Sequence, residues 1–107
     1  MNIMIQEEWM HIQRYGIPTI YEISNHGRLR KTSPHWQTNI PTTVIVNTFK
    51  KKHNYQFKTI KGEKFLIHRL VASAFLSDHS FDMEIQHIDG NIHNNYIENL
   101  KMVPRRI

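Results

Sequence analysis

The residues best suited to chemistry lie near the carboxyl end of the chain, in residues 84–91 (EIQHIDGN) and the Asn-rich stretch that follows. This pattern is typical of a short strand ending at His87, a turn at Asp89 and Gly90, and a polar loop, because Gly and Asn tolerate positive φ. We expect the His87 ring to face solvent and a substrate. Its pKa range makes it a candidate general base whose tautomer a neighbouring amide would fix. The alternative is a loop histidine in a chain with eight histidines.

The segment resembles the motif of the HNH nucleases, in the form found in phage and intron-encoded homing endonucleases. The resemblance is carried by residues 86–91 (QHIDGN), 94–95 (NN) and 98–100 (ENL). Residues 68–75 (HRLVASAF) look like the helix that precedes this motif. Further upstream, Glu8-Trp9 and residues 21–30 (YEISNHGRLR) resemble the modular DNA-binding segment often fused to such nucleases. The three matches fall in the family's order and span nearly the whole chain.

The resemblance implies an α+β fold that ends in a ββα-metal module, also called a His-Me finger. It implies double-stranded DNA as the partner, and Mg²⁺ or Mn²⁺ as the cofactor of an active enzyme. In this reaction His87 would deprotonate a water, and Asn99 would be the amide that holds the His87 ring. The divalent ion would hold the scissile phosphate and stabilise the leaving oxygen.

Two departures from the family's pattern concern the metal ligands. The residue before the base histidine is usually Asp, Asn or His, whereas this chain has Gln86, a neutral oxygen donor that binds hard cations poorly. The family's second ligand is expected several residues beyond Asn99, about where the sequence stops at Ile107. Asp89 remains as a weak substitute ligand. We therefore expect a degenerate, truncated site that needs a divalent metal if active, or that binds none.

Three functions fit this pattern. The first is an HNH-like DNA-binding protein, phage-encoded, whose nicking activity is lost or weak. The second is an active metal-dependent nicking homing endonuclease, with Asp89, Asn91, a water or a second chain supplying the missing ligands. The third is a phage inhibitor that uses a decayed HNH fold to bind a host protein, such as a defence nuclease. Metal-dependent nicking would single out the second function.

The charge of the chain favours a polyanionic partner. Fourteen Lys and Arg against nine Asp and Glu give a net charge of +5 at pH 7, and release of counterions would drive binding to phosphates. Solvated surface charge is the simpler explanation of the same composition. The candidate phosphate contacts are the basic residues near two predicted hairpin turns and at the end of the chain, namely Arg28, Arg30, Lys31, Lys50, Lys51, Lys52, Arg105 and Arg106.

The upstream sequence predicts small antiparallel hairpins followed by a central helix. Strands are expected over 20–30, around a turn at 25–27, and over 44–60, around a Lys-rich turn. Residues 9–15 should form at most a short turn, because Gly16 and Pro18 disfavour a helix. Apolar residues recur at helical spacing near 68–76, and a hairpin is expected at 84–103.

We expect residues 1–60 to form the DNA-binding β module and residues 61–107 the HNH-like module lacking its final helix, either separately or around a shared core. The chain has no cysteine, which excludes disulfides and thiolate metal sites. It shows no signal-peptide pattern and no apolar run long enough to cross a membrane. We therefore expect no membrane partner and a cytoplasmic location in a bacterial or phage-infected cell.

Overall fold

The computed structural model describes residues 6–32, 42–44, 47–48, 55–80 and 82–105. These residues form antiparallel strands, one α-helix and one turn of 3-10 helix, which confirms the predicted α+β class. The strands are β1 Trp9–Arg14, β2 Ile17–Ser24, β3 Leu29–Lys31, β4 Thr42–Val44, β5 Asn47–Thr48, β6 Gln56–Ile60, β7 Glu63–Leu66, β8 Met83–His87 and β9 Leu100–Pro104. The helix α1 spans Ile67–Phe75, and the 3-10 turn spans Ile97–Asn99.

Strands β1 to β4 form a four-stranded antiparallel sheet in chain order. Its first strand corrects the prediction that residues 9–15 form at most a short turn. Tyr15 and Gly16 both have positive φ, 54° and 76°, and close a two-residue hairpin between β1 and β2. Gly16 and Pro18 therefore exclude a helix, as expected, but they are compatible with a hairpin whose turn requires positive φ.

The other strands form a three-stranded sheet, β5-β6-β7, and the two-stranded hairpin β8-β9. The predicted pairing within residues 44–60 is confirmed where it is described, by Asn47 opposite Phe57 and Thr48 opposite Gln56. The tip of that hairpin, with Lys50, Lys51 and Lys52, lies outside the described residues. The predicted hairpin at 84–103 is confirmed with His87 opposite Leu100.

Helix α1 lies within one residue of its predicted bounds and buries Ile67, Val71 and Ala72. It packs into a core whose buried residues come from most parts of the chain: Ile12, Ile23, Leu29, Ile60, Ile67, Val71 and Leu100. The β6-β7 hairpin crosses the boundary expected at residue 60. The two predicted modules therefore share one hydrophobic core, while their separate functions stay a prediction. Within the described ranges, no helix is long and apolar enough to span a membrane.

Candidate active site

His87 lies at the end of β8 and points into the protein. Along this strand Ile85 and His87 face inward, whereas Glu84 and Gln86 face outward, as expected from the two-residue period of a strand. The His87 residue is only 7% exposed. The ring was expected to face solvent, but it is mostly buried, because the β8-β9 hairpin packs this face against the core. One wall of a groove of about 580 Å³ still includes His87, together with Tyr55 and Gln86.

The amide that contacts the His87 ring belongs to Asn95. Nε2 of His87 lies 2.8 Å from Oδ1 of Asn95, and both residues are buried. On its other side, Nδ2 of Asn95 donates a hydrogen bond of 3.0 Å to Oε1 of Gln56. This corrects the expectation that Asn99 holds the ring. From the sequence pattern, Asn95 was expected only as a loop residue, and Gln56 was expected to have no role.

Asn99 instead holds the loop that follows His87. Its Nδ2 donates to Oδ1 of Asp89 and to the carbonyl oxygen of Asn94, both at 2.9 Å, and its Oδ1 accepts from the backbone N–H of Asp89 at 3.0 Å. Asn99 therefore shapes the loop between Asp89 and Asn94 rather than the imidazole. A catalytic contribution of Asn99 stays a prediction, and in this geometry it would act through the loop.

Both carboxylate oxygens of Asp89 accept hydrogen bonds from this loop. Oδ1 accepts from the backbone N–H of Asn91 and from Asn99, and Oδ2 accepts from the side chain of Asn94. The Asn94 amide contributes most to lowering the pKa of Asp89, followed by the Asn91 N–H and the Asn99 amide. Asp89 is therefore ionised at neutral pH and organises the turn. Its role as a metal ligand stays a prediction.

The donor set does not by itself fit a divalent cation. Gln86 offers one neutral oxygen on the exposed face of β8, opposite in direction to His87. Asp89 already uses both oxygens within its loop. Across the described part of the chain, no group of three or more His, Asp or Glu side chains is placed to hold a metal ion. A substrate phosphate, or further protein ligands, would have to complete such a shell.

Two aromatic residues outside the motif also pack beside His87. The ring of His68, on α1, lies 5.2 Å from that of His87, and the ring of Tyr55 stacks on His68 at 4.9 Å. Burial lowers the pKa of His68 to about 4, with smaller contributions from the nearby charges of His87 and Arg69. At neutral pH His68 is therefore an uncharged packing surface for the candidate base. No local sequence pattern predicts this contact, because it depends on how α1 docks on the sheets.

The turn between β2 and β3 contacts the same loop. The backbone N–H of Ile97 donates to the carbonyl oxygen of Asn25 at 2.8 Å. Gly27, at φ +78°, lies so close to Asn95 that a Cβ on Gly27 would be 2.7 Å from the Asn95 Cβ. The ring of Tyr96 packs in a tilted arrangement against that of His26, with 4.7 Å between the ring centres. The β2-β3 turn of the upstream module therefore packs against the loop that carries Asn95, the hydrogen-bond partner of His87.

The basic residues predicted to contact phosphates are partly paired within the protein. Nε of Arg28 donates to Glu7 at 2.8 Å, and this interaction is the main cause that lowers the pKa of Glu7 to about 2. Nε of Arg30 donates to Glu22, also at 2.8 Å. Both guanidinium groups also lie over the ring of Trp9, with the Arg30 group 4.1 Å from its centre.

The remaining basic candidates are only partly described. Lys31 and Arg105 are exposed. Lys50, Lys51, Lys52 and Arg106 lie outside the described residues. DNA contact by any of these side chains stays a prediction, and the structure does not bring them into one described cluster.

Comparison with known proteins supports the resemblance found in the motif. The DNA endonuclease I-HmuI of Bacillus phage SP01 is 32% identical over 106 residues, which cover 94% of this chain and 54% of I-HmuI. A solved structure describing DNA binding and cleavage by the HNH homing endonuclease I-HmuI matches 91% of this chain with a TM-score of 0.64 and 29% identity. The chain is related to the HNH homing endonucleases.

A second relative shows the same similarity to HNH homing endonucleases. A protein of Bacillus subtilis (strain 168), named as an SPbeta prophage-derived HNH homing endonuclease, YosQ, is 36% identical over 84 residues. These residues cover 66% of this chain and 47% of YosQ. No family model matches the chain. The HNH-like chain spans about half the length of the relatives it matches.

Proposed function

We propose that this HNH-like chain binds double-stranded DNA and that His87 is the general base of a slow DNA-nicking site. The observation that carries the proposal is the buried, hydrogen-bonded His87 at the end of β8. It is supported by the similarity to I-HmuI, which covers 94% of this chain. A histidine is suited to take a proton from water at neutral pH. The loop after His87 is held by Asp89 and Asn99 and would keep the approach to the ring open.

Gln86 is the reason to expect slow turnover. A divalent ion in this reaction class stabilises the charge that develops on the phosphate and on the leaving oxygen. Gln86 contributes no negative charge to attract such an ion, and Asp89 is committed to its loop. His87 can remove a proton from water, but it does not stabilise the leaving oxygen. Nicking should therefore be slow even where DNA binding is intact.

The proposed DNA surface lies on one face of the four-stranded sheet β1–β4 and at its β2-β3 turn. Trp9, Arg28 and Arg30 lie together there, and Lys31 is exposed at the end of β3. Such clusters commonly contact phosphate oxygens, which position a protein on the duplex without specifying sequence. Arg28 already pairs with Glu7 and Arg30 with Glu22, so a phosphate would compete with each carboxylate. This competition would reduce the binding free energy gained from each phosphate contact. Lys50, Lys51, Lys52, Arg105 and Arg106 are proposed to add to this electrostatic attraction.

A plasmid-nicking assay tests the catalytic part of the proposal. The chain is incubated with supercoiled DNA, with Mg²⁺ or Mn²⁺ or with a chelator, beside His87→Ala and Gln86→Asp. We expect weak nicking that His87→Ala abolishes and that Gln86→Asp increases. Gln13→Asp is the matched control, because it adds the same charge at an exposed strand position of β1. Strong Mg²⁺-dependent nicking by the unmodified chain would show that Gln86 does not weaken the site.

DNA binding is tested separately by measuring the affinity for a duplex as a function of salt. We expect the affinity to fall steeply with salt, and the slope to decrease by about 0.9 for each phosphate contact removed. Neutralising Arg28, Arg30 and Lys31 should weaken binding. If binding is independent of both salt and these residues, DNA is not the partner. The proposed host-protein inhibitor would then become the function to test, by capture of a partner from host lysate.

A further inference from the structure

The Asn95 amide has a direction, and this direction determines the state of the His87 ring. Nδ2 of Asn95 donates to Oε1 of Gln56, so the amide oxygen of Asn95, Oδ1, faces Nε2 of His87. A carbonyl oxygen can only accept a hydrogen bond. The neutral imidazole must therefore carry its hydrogen on Nε2, which leaves the lone pair on Nδ1.

The surroundings keep this amide in place. Asn95 is 3% exposed, and its Cβ and carbonyl oxygen lie against the backbone of Gly27. Gln56, which accepts the hydrogen bond from Asn95, lies on β6. This strand is paired with β5 on one side and β7 on the other, so the position of Gln56 is also fixed. His68 limits rotation of the His87 ring on its other side. The arrangement is thus held by three segments that are distant in sequence.

Nδ1 of His87 is the ring nitrogen that remains available. Among the described residues no group hydrogen-bonds Nδ1, and none of their side-chain nitrogen or oxygen atoms is buried without a partner. Nδ1 therefore retains access to the groove that His87 lines beside Gln86 and Tyr55. A lone pair at this position can accept a proton from water, whereas an N–H at this position could not.

We infer that Asn95 and Gln56 are positioning residues for His87: together they hold the ring as the Nε2–H tautomer and present the Nδ1 lone pair to the groove. The role of that lone pair as a base rests on the proposed function. The tautomer itself does not, because it follows from the hydrogen bonds of the free protein. The same three side chains could also be hydrogen-bonded in the reverse direction, with Gln56 donating to Asn95 and Asn95 donating to Nε2 of His87. The hydrogen of His87 would then be on Nδ1, and the test must exclude this alternative.

The test measures the His87 tautomer by two-bond ¹H–¹⁵N correlation NMR on the free, ¹⁵N-labelled chain at a pH where histidines are neutral. His87→Gln identifies the His87 signals among the eight histidines. We expect the Nε2–H form to exceed the Nδ1–H form by roughly five-fold or more, the bias given by one ordinary hydrogen bond. A predominant Nδ1–H form in the unmodified chain would overturn the inference.

Two substitutions at Gln56 form a matched pair. Gln56→Glu presents only acceptors, so Asn95 must keep donating to it and the Nε2–H form should persist. Gln56→Lys presents only donors, so the Asn95 amide should reverse and the predominant form should become Nδ1–H. Both variants change one half-buried side chain of β6, and backbone amide spectra report whether each one folds. An identical tautomer in the two folded variants would refute the role of Gln56.

Asn95→Leu keeps the approximate volume of the side chain but removes the acceptor. We expect a mixture of tautomers in this variant, and a lower kcat for nicking with little change in KM where nicking is measurable. A tautomer that remains fully Nε2–H in folded Asn95→Leu would overturn the role of Asn95. Because the NMR readout needs neither DNA nor metal, a failure of nicking with the expected tautomers would refute only the proposed base function. If Asn95→Leu does not fold, the Gln56 pair still decides the inference.

Discussion

The contact between Gly27 and Asn95 predicts that the upstream turn is energetically coupled to the candidate site. In Gly27→Ala, the new Cβ would lie 2.7 Å from the Asn95 Cβ and 3.0 Å from its carbonyl oxygen, so one of the two segments must move. The matched control is Gly62→Ala, at φ +81° with no atom within 4 Å of the new Cβ. Left-handed backbone costs an Ala side chain about 1–2 kcal/mol in either variant. Overpacking should add about 1–3 kcal/mol only at Gly27.

Urea unfolding measures both variants under the same conditions. We expect Gly27→Ala to lower the free energy of unfolding by about 2–5 kcal/mol and Gly62→Ala by about 1–2 kcal/mol, from the sum of these costs. The slope m should remain unchanged, so that the midpoints report stability. We also expect the His87 and Asn95 signals in NMR spectra to shift in Gly27→Ala and to stay in place in Gly62→Ala. Equal destabilisation by the two substitutions would refute the coupling.

Three further predictions concern pH, metal and DNA. In the unfolded chain His68 becomes protonated as the pH falls below about 6.5. In the folded chain its pKa is lowered to about 4, so the ring stays neutral until the pH reaches that value. Stability should therefore fall by up to about 3 kcal/mol between these pH values, and His68→Phe should flatten this part of a pH series of urea midpoints. Gln86→Asp should bind Mn²⁺ more tightly than the unmodified chain in calorimetry, and equal affinities would exclude position 86 from the metal shell. Glu22→Gln should free Arg30 from its ion pair and steepen the salt dependence of duplex binding, and an unchanged slope would remove Arg30 from the DNA surface.

The parts of the fold that the sequence predicted are those specified by neighbouring residues. The helical spacing of apolar residues located α1 to within one residue, and turn residues located the β2-β3 and β8-β9 hairpins. The β1-β2 hairpin was missed because a Tyr at positive φ is rare, so Tyr15 gave no sign of a two-residue turn. Periodicity along β8 could have predicted that His87 faces inward with Ile85, since Glu84 and Gln86 occupy the other face.

The site itself was predicted less completely, because its contacts are distant in sequence. The motif identified His87 and the loop from Asp89 to Asn99, but not which amide meets the ring. Asn95 and Gln56 are 39 residues apart, and their hydrogen bond depends on docking the β8-β9 hairpin against β6. No local pattern in Gln56 distinguishes it from any other polar strand residue. The resemblance to a family located the motif, and the packing of the chain then determined the partners within it.

These contacts also connect the two functions proposed for the chain. Arg28, a proposed phosphate contact, is the neighbour of Gly27 in the turn after β2, and Gly27 packs against Asn95. Asn95 in turn accepts the hydrogen bond from His87 that the inferred tautomer requires. A duplex bound at Arg28 would thus be linked to the candidate base through Gly27 and Asn95. The shared core of the upstream strands and the hairpin leaves little freedom for these groups to move independently. We therefore expect substitutions in the turn to change binding and nicking together, whereas substitutions at Gln86 should change nicking alone.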